Sequence, residues 1–211
     1  MRGGENRINP SFLAEFNRAL DEVEQSQGNA ALVSTGEGKF YSNGLDLDAL
    51  SGIAREQTQS FLIELDRLFA RLLAFPTATV AAINGHAFAA GAMLALAHDF
   101  RVMRSDRGFV CFPEIDMGTG QPLTQGMYAL IGARIPQSAF HEALITGRRY
   151  GAPEAVRLQM VHEAKDEADV LPRAVEIARE LAGKDRATMS ALKRGLLQPA
   201  LDILEHVDAD S

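Results

Sequence analysis

The sequence predicts an α/β fold that is followed by a helical extension. Two observations predict it: short apolar strands alternate with amphipathic helices up to about residue 120, and the pattern after that residue is entirely helical. The 211 residues, of which 46% are hydrophobic and 23% charged, can bury a large core without disulfides or metals. We therefore expect a single domain over residues 1–211, with an α/β core over residues 1–120 and helices over residues 121–211.

The first half of the core is predicted to be a helix, a strand and a second helix. Asn9 is a good N-cap and Pro10 suits the first helical position, so the first helix begins there. Residues 30–34 form a short apolar strand, which a turn over residues 35–38 ends. A second helix over about residues 58–75 is stopped by Pro76. The apolar residues at helical spacing are Phe12, Phe16, Leu20 and Val23 in the first helix and Phe61, Leu65, Leu68, Phe69 and Leu72 in the second.

The second half of the core is predicted to contain three strands and a helix of small residues. Residues 79–83 are continuously apolar, as expected of a strand covered on both faces. Asn84, Gly85 and His86 then form a turn, which leads into a helix over about residues 89–97. Residues 100–103 and 109–112 are two more strands. The helices of the extension are marked by Met127, Leu130 and Ile131, by a pattern that ends at Gly147, and by two patterns between Val170 and Leu197.

The charge and the chain ends limit the classes of partner and compartment. A formal net charge of −7 argues against a general nucleic-acid or membrane-surface binder. No apolar run reaches the roughly 18 residues that cross a bilayer. The first five residues lack the apolar stretch of a signal peptide, and the last four (DADS) are not a peroxisomal Ser-Lys-Leu ending. We therefore expect a cytoplasmic protein, with the peroxisome as the alternative.

The lone cysteine and the histidines carry weak functional signals. Cys111 stands between Val110 and Phe112, so we expect a small buried hydrophobic residue rather than a nucleophile. His86 lies in a predicted turn and is expected to be structural. His98 and His141 have weaker claims to a role, and His141 lacks the second histidine that a zinc-binding HExxH motif requires. We predict no metal site.

Three loops follow predicted strands, and this is where open α/β sheets bind their ligands. The first spans residues 38–47 (GKFYSNGLDL) and can present backbone N–H groups to a ligand. An ordinary strand-to-helix loop uses the same residue types, because Ser, Asn, Gly and Asp are the usual turn formers. This segment alone therefore leaves both interpretations open.

The second loop spans residues 82–93 (AINGHAFAAGAM), where a strand leads into a helix whose first turn is built from Ala and Gly. Small side chains let a substrate approach the backbone closely. The first helical turn offers unpaired N–H groups and the positive end of the helix dipole, which suit a developing oxyanion. Tight helix packing is the alternative reason for the small residues.

The third loop spans residues 112–118 (FPEIDMG) and carries two carboxylates. Glu114 is flanked by Phe112, Pro113, Ile115 and Met117, and burial among such residues raises a carboxyl pKa toward the range of a useful base. An exposed or helix-capping glutamate is the alternative. Asp116 is a second candidate, because in an extended segment residues two apart point the same way.

Together the three segments resemble the signature regions of the enoyl-CoA hydratase/isomerase family, also called the crotonase family. The resemblance runs from about Asn6 to Gly195, and the first and third segments are especially similar to peroxisomal-type Δ3,Δ2-enoyl-CoA isomerases. It implies a crotonase-like ββα-superhelix core with a C-terminal helical extension. It also implies an acyl-CoA substrate, no cofactor apart from the coenzyme A of that substrate, and a homotrimer or hexamer that assembles through residues 121–211.

The resemblance also implies roles for particular residues. The backbone N–H groups of Leu45 and Ala90 form an oxyanion hole for the thioester carbonyl, and Glu114 transfers the proton. The groove for coenzyme A is lined by Ser42, Asn43, Gly44, Leu45 and Asp46.

One departure from the hydratases favours an isomerase. Hydratases carry a second glutamate on the helix after the second loop, and that position is Met93 here. Adding water uses two carboxylates, whereas moving a double bond from position 3 to position 2 needs one base that returns the proton it removes. The alternatives are a hydratase or another crotonase-type reaction that uses Glu114 alone, and a non-catalytic protein that binds CoA thioesters.

Overall fold

Two parallel sheets form the centre of the structure, a computed structural model that describes residues 4–118 and 123–206. The strands are β1 (Ala31–Thr35), β2 (Phe40–Ser42), β3 (Ala78–Ile83), β4 (His86–Phe88), β5 (Phe100–Arg104), β6 (Val110–Cys111) and β7 (Glu163–Lys165). The helices are α1 (Pro10–Gln25), α2 (Leu47–Leu50), α3 (Arg55–Leu73), α4 (Ala90–Ala97), α5 (Glu114–Met117), α6 (Gln125–Arg134), α7 (Gln137–Thr146), α8 (Ala152–Arg157), α9 (Glu167–Leu181) and α10 (Arg186–Glu205).

Successive strands alternate between the two sheets. The larger sheet has the order β1-β3-β5-β7 and the smaller one β2-β4-β6. Every pair within them is parallel. A parallel neighbour requires a crossover connection, and one or more helices lie between each strand of the smaller sheet and the next strand of the larger one. This strand–strand–helix repeat is the ββα superhelix, so the predicted fold class is confirmed.

Several predicted elements are confirmed close to their expected bounds. The Asn9 side chain caps α1 by accepting a hydrogen bond from the Phe12 amide at 3.0 Å, and Pro10 is the first helical residue. Gly147 ends α7 in the left-handed conformation, at φ 58°. Cys111 is 2% exposed, and burial raises the pKa of its thiol to about 11.

The expectation that the chain is entirely helical after about residue 120 is wrong. Residues Glu163–Lys165 form β7 and pair with β5, Val102 lying opposite Glu163. The sequence Glu-Ala-Lys has no β-branched or aromatic residue and so gives no strand signal. The strand forms because the open edge of β5 offers backbone partners, beginning with the His162 amide, which donates to the Arg101 carbonyl at 3.0 Å.

Two segments expected to be loop or turn also contain strands. Phe40–Ser42 is β2, and His86, expected in a turn, begins β4. Both strands are three residues long and lie immediately beside glycine-containing turns, so their local signal is that of the turn. Pairing of β2 with β4 and of β4 with β6 creates the smaller sheet.

The C-terminal helices bury both the larger sheet and the helices beside it. On one side, α9 packs Val170, Ala174 and Ile177 against Val80 and Val102 of the larger sheet. On the other side, α10 packs against α3 and α6, and its Leu201 and Leu204 are fully buried. The helices after residue 123 therefore complete the packing of residues 4–118.

The described residues contain no helix that is both long and apolar enough to cross a membrane. Residues 1–3 and 207–211, on which parts of the signal-peptide and C-terminal expectations rest, lie outside the described residues.

Asp66 is a fully buried carboxyl group in the packing between α3 and α6. Its two oxygens have no hydrogen-bond partner among the described residues. The contact with α6 is so close that a Cβ atom at Gly126 would lie 2.7 Å from Asp66 Oδ2. Burial raises the pKa of Asp66 to about 6. Folding therefore favours the protonated form of this group.

We expect Asp66 to make the protein less stable as the pH rises. Between about pH 4 and 6 the folded state retains a proton that the unfolded chain has released, so the free energy of unfolding falls across this window. By the upper end of this window, the free energy of unfolding has fallen by about 3 kcal/mol at most. Urea unfolding of Asp66→Asn at pH 8 is therefore expected to show higher stability than the wild type, with no such gain at pH 4. The exposed Asp202→Asn change is the control, and an equal gain in both variants would contradict this account.

Candidate active site

The three sequence loops meet around one cavity of about 310 Å³. The N-terminus of α4 lies at the base of the cavity. The first loop and α3 line one side, and α5 and the start of α6 line the opposite side. The residues that line it are Asn43, Leu45, Leu47, Leu62, Phe88, Ala89, Ala90, Met93, Pro113, Glu114, Met117, Leu123, Thr124 and Met127. A larger groove of about 660 Å³ lies between α1 and β1, but it contains none of Leu45, Ala90 and Glu114.

Two glycines allow the first loop to lie against the start of α4. Gly44 has φ 83°, and a Cβ atom there would lie 3.0 Å from both the Ala89 Cβ and the Phe88 carbonyl oxygen. A Cβ atom on Gly91 would lie 2.4 Å from the Ser42 carbonyl oxygen. Larger side chains at either position would therefore separate the loop from the helix. Close packing is thus one reason for the small residues of the second loop, and the approach of a substrate to the backbone stays a prediction.

The backbone at Ala89 is strained. Its φ of 49° and ψ of −126° lie in a region that non-glycine residues rarely adopt, at a cost of roughly 1–3 kcal/mol. The conformation is held by the Ala89 amide, which donates to the Cys111 carbonyl at 2.9 Å, and by the Ala89 carbonyl, which accepts from the Ala92 and Met93 amides. The strain turns the chain sharply from β4 into α4 and makes Ala90 the first helical residue.

The amides of Leu45 and Ala90 are free donors beside this cavity. Ala90 begins α4, so its N–H has no partner within the helix. Among the described residues, neither amide donates a hydrogen bond, although the neighbouring Asp46 amide donates to Ile8 at 2.9 Å. A Cβ atom on Gly44 would lie 3.4 Å from the Ala90 nitrogen, which places the two peptide units side by side. Two adjacent unpaired donors at a helix N-terminus suit an anionic oxygen.

Glu114 is the one ionisable residue in the described lining of the cavity. It begins α5, and its Oε2 atom is buried without a hydrogen-bond partner among the described residues. Burial raises the pKa of Glu114, and a hydrogen bond from its own backbone amide opposes this only in part. A carboxylate that is desolvated and unpaired is a stronger base than an exposed one.

The apolar surroundings of Glu114 differ from those expected. Its chain neighbours Ile115 and Met117 are 56% and 41% exposed, so the sequence-based reason for its burial was partly wrong. The cavity lining around Glu114 combines its chain neighbours Pro113 and Met117 with residues from other elements. Met93, which is 1% exposed on α4, and Met127 on α6 are among them.

Asp116 does not reach the cavity. The segment is the short helix α5 rather than an extended chain, so residues two apart point to different sides. Asp116 is exposed and lies against α7, where a Cβ atom on Gly147 would come within 2.6 Å of its Oδ2. Asp116 is thus separated from Glu114, and the two carboxylates do not form a pair.

The five residues predicted to line a groove divide into two groups. Asn43 and Leu45 line the cavity. The other three shape the loop: Ser42 accepts from the Gly44 amide at 3.3 Å, Gly44 provides the close approach to α4, and Asp46 caps α2 and accepts from Asn9. Asn43 donates from its side chain to Glu5 at 2.8 Å, which fixes the loop from outside.

Sequence reasoning missed the apolar side of the cavity. Leu62, Phe88, Leu123, Thr124 and Met127 line it, although none belongs to a recognisable motif apart from Phe88. Leu62 lies one position after Phe61 on the predicted second helix, and helical periodicity assigned Phe61 to the core without showing which neighbour faces a cavity. Met127 was likewise predicted only as a packing residue of α6. No sequence signal brings α3 and α6 together.

Comparisons with known proteins agree with this fold and site. A model of the enoyl-CoA hydratase/isomerase family matches residues 2–208. The chain is 37% identical to the peroxisomal enoyl-CoA delta isomerase 2 of Arabidopsis thaliana, over 86% of this chain and 78% of that protein. It is 33% identical to a putative enoyl-CoA hydratase of Thermus thermophilus, over 91% and 75% of the two chains. The structure of an enoyl-CoA isomerase from Mycobacterium tuberculosis superposes with a TM-score of 0.88 at 28% identity, covering 96% of this chain and 87% of the other.

The fold and the matched sequence define a crotonase-type enzyme. The chain belongs to the enoyl-CoA hydratase/isomerase family. Family membership does not distinguish an isomerase from a hydratase, because the relatives of this chain include proteins described as either.

Proposed function

We propose that the protein is a Δ3,Δ2-enoyl-CoA isomerase, which moves a double bond from position 3 to position 2 of a fatty acyl-CoA. The observation that carries the proposal is the single carboxylate, Glu114, in a cavity whose other described lining residues cannot take up a proton near neutral pH. Three relatives at 31–37% identity, all described as enoyl-CoA delta isomerases, support it.

The reaction begins with the substrate thioester oxygen at the N–H groups of Leu45 and Ala90. Glu114 removes a proton from C2, and the electrons form a dienolate whose negative charge lies on the thioester oxygen. Each of the two N–H donors lowers the barrier by roughly 3–4 kcal/mol, because the charge is greater in the transition state than in the ground state. The protonated Glu114 then returns the proton to C4, and the double bond becomes conjugated with the carbonyl.

Met93 supports isomerisation over hydration. Its side chain lies in the cavity at 1% exposure and cannot activate a water molecule. An apolar wall at this position excludes water from the dienolate and leaves C4 protonation by Glu114 as the outcome. A hydratase that uses Glu114 alone is the second candidate, because the relative from Thermus thermophilus is described as a putative enoyl-CoA hydratase.

Two parallel assays on the wild-type protein separate these candidates. With 3-hexenoyl-CoA we expect the absorbance of the conjugated 2-enoyl thioester to rise to equilibrium. With 2-hexenoyl-CoA we expect no loss of that absorbance beyond its return to the 3-enoyl form, because no water is added. Rapid loss of absorbance with formation of a 3-hydroxyacyl-CoA, measured by mass spectrometry, would instead identify a hydratase. No change in either assay would favour a non-catalytic protein that binds CoA thioesters.

We also propose that coenzyme A enters only as part of the substrate and that the chain forms homotrimers or hexamers. The surface of α10 supports self-association, because Leu192, Leu196 and Ile203 are 63%, 80% and 43% exposed and recur at helical spacing.

The cytoplasm stays the predicted compartment, with the peroxisome as alternative because two relatives are described as peroxisomal.

A further inference from the structure

A second cavity lies at the opposite end of α4 from the candidate active site. It has a volume of about 470 Å³, and among the described residues it shares none of its lining with that site. Since α4 is eight residues long, its two ends are about 12 Å apart. The polar residues that line the second cavity are Asp99, Arg101, Arg134, Gln159 and His162.

Two guanidinium groups meet at the C-terminal end of α4. Arg101 donates from Nη1 to the carbonyl oxygens of Leu96 and His98, at 3.3 and 2.8 Å. Arg134 donates to the same two oxygens, from Nε at 2.9 Å and from Nη2 at 2.7 Å. Because both groups bond the same pair of carbonyls, they lie side by side beneath the helix end.

Each guanidinium retains one nitrogen that has no hydrogen-bond partner. Arg101 Nε donates to the Met160 carbonyl at 2.8 Å, and Arg134 Nη2 also donates to the Asp99 carbonyl at 3.1 Å. Within the described part of the chain, nothing accepts from Arg101 Nη2 or from Arg134 Nη1. A guanidinium carries five N–H donors, so each arginine keeps two for the cavity that it lines. Since Arg101 is 3% exposed, a partner for its Nη2 must come through this cavity.

Positive charge exceeds negative charge around this cavity. Neither Arg101 nor Arg134 forms an ion pair with a described residue. The acid in the lining, Asp99, is bound through Oδ2 by Lys193 at 2.6 Å and by the Thr79 amide at 2.8 Å. The C-terminal end of α4 adds only about half a negative charge. Three cations therefore face one carboxylate and a helix end, and a positive excess remains.

The environment disfavours the charge on both arginines. Burial, and then the charge of Arg134, lower the pKa of Arg101 well below its usual value, and Asp99 opposes this only in part. Burial also lowers the pKa of Arg134, again against Asp99. A buried cation is stabilised when an anion with good hydrogen-bond geometry lies beside it. An anion in the cavity would therefore offset both the burial of the two groups and their repulsion.

Gln159 and His162 add neutral donors to the lining. His162 Nδ1 accepts a hydrogen bond from the Arg101 amide at 3.1 Å, so the ring proton is on Nε2, which has no acceptor among the described residues. The Gln159 side-chain amide likewise forms no hydrogen bond there. Gln159 also has φ 58°, which residues other than glycine rarely adopt, and its own amide donates to the Val156 carbonyl at 3.0 Å. Strained backbone of this kind is concentrated at functional sites.

We propose that this cavity is a binding site for a small oxoanion, with inorganic phosphate and sulfate as its representatives. The unpaired Nη2 of Arg101 and Nη1 of Arg134 donate to its oxygen atoms, as guanidinium groups do to phosphates. The amide of Gln159 and Nε2 of His162 complete the donors. The bound anion connects β5, α6 and the segment before β7, and so stabilises the junction between the core and the C-terminal helices.

Titration calorimetry with inorganic phosphate tests the site directly, in buffers whose ionic strength is matched with chloride. Gln159→Glu breaks no hydrogen bond among the described residues and places a competing carboxylate at the cavity. Gln27→Glu is the matched control, because it adds the same charge at another exposed glutamine. We expect the Kd of phosphate to be at least tenfold higher in Gln159→Glu and within twofold of the wild type in the control. Equal affinity in all three proteins, or no binding to the wild type at millimolar phosphate, would overturn the proposal.

Thermal unfolding provides a second readout of the same site. Phosphate stabilises most proteins slightly by exclusion from their surface, so only the difference between variants is informative. We expect phosphate to raise the Tm of the wild type and of Gln27→Glu by several degrees more than that of Gln159→Glu. Without phosphate, Gln159→Glu is expected to melt above the wild type, because its carboxylate supplies the negative charge. A lower Tm of Gln159→Glu under these conditions would show that the cavity does not favour an anion.

Two controls separate a free oxoanion from other sources of negative charge. Coenzyme A at saturation is expected to leave the Kd of phosphate within twofold, because the candidate active site lies at the other end of α4. Loss of phosphate binding in its presence would assign the phosphate to the substrate groove and refute the proposal. Light scattering is recorded for the wild type and Gln159→Glu. If the wild type binds no phosphate and the variant dissociates, a carboxylate of a second copy is the anion, and the proposal is likewise wrong.

Discussion

Replacement of Glu114 by glutamine is expected to lower kcat for 3-hexenoyl-CoA by 10²- to 10⁴-fold, the usual contribution of a general base. Glutamine retains the size and polarity of the side chain but cannot accept the C2 proton. The cavity and the amides of Leu45 and Ala90 are unchanged, so KM is expected to stay within a fewfold of the wild-type value. The measurement is the initial rate of absorbance increase of the 2-enoyl thioester in wild type and variant.

Asp116→Asn is the matched control for this prediction, because it removes a carboxylate two residues away that is exposed and faces α7. We expect it to retain most of the activity. Full activity in Glu114→Gln together with loss in Asp116→Asn would reverse the assignment of the base. Comparable loss in both variants would point instead to displacement of α5 as a whole.

The pH dependence of the wild type offers an independent check on the same residue. The base must be unprotonated in the free enzyme, so kcat/KM rises with pH through the pKa of Glu114. Because burial raises that pKa, the rise is expected at a higher pH than for an exposed glutamate. The Glu114→Gln variant is expected to lose this limb of the profile.

The parts of the fold that sequence predicts are those with strong local signals. Asn9 and Pro10 specify a helix start by capping chemistry alone, and residues 79–83 are apolar enough to require cover on both faces. By contrast, β7 has no local signal, because its pairing is supplied by the free edge of β5. Periodicity is a property of one segment, whereas an edge strand depends on what lies beside it.

In the candidate site, too, local sequence signals predict some residues, whereas others depend on the packing of distant elements. The motifs name Leu45, Ala90 and Glu114, which follow neighbouring strands and line one cavity in the structure, while their roles stay predictions. They did not place Leu62, Thr124 and Met127, which reach the cavity from α3 and from the start of α6. They attributed the burial of Glu114 to Phe112, Pro113, Ile115 and Met117, of which Phe112 is buried, Pro113 and Met117 line the cavity, and Ile115 is exposed. The flanking residues therefore predict the burial of Glu114 only in part, because Met93 and Met127 reach the cavity from other elements.

The strained turn at Ala89 and the close packing of Gly44 against it act together to position two backbone amides. Strain of this kind persists only where the surroundings hold it, and here the Cys111 carbonyl and the glycines at positions 44 and 91 do so. Its effect is to present the Ala90 amide next to the Leu45 peptide without any side chain between them. The positions of both donors therefore depend on the absence of a methyl group at residue 44.

Gly44→Ala is accordingly expected to lower kcat for isomerisation by about 10- to 100-fold while the protein remains folded. The new Cβ atom would lie 3.0 Å from both the Ala89 Cβ and the Phe88 carbonyl oxygen, so the loop must move away from α4 by a few tenths of an ångström. The Leu45 amide moves with it, and the oxyanion loses alignment with one donor. KM is expected to change less than kcat, because the donors stabilise the transition state more than the substrate.

Gly38→Ala is the matched control, because Gly38 also has a left-handed backbone, with φ 74°, but a Cβ atom there would meet nothing within 4 Å. Both substitutions carry the same backbone cost of about 1–2 kcal/mol, and urea unfolding of the two variants measures it. Only Gly44→Ala also displaces the loop, so the difference in kcat between the two isolates the geometry of the donors. Equal kcat values for the two variants would show that catalysis does not depend on the contact between Gly44 and Ala89, and the roles of the Leu45 and Ala90 amides would then have to be abandoned.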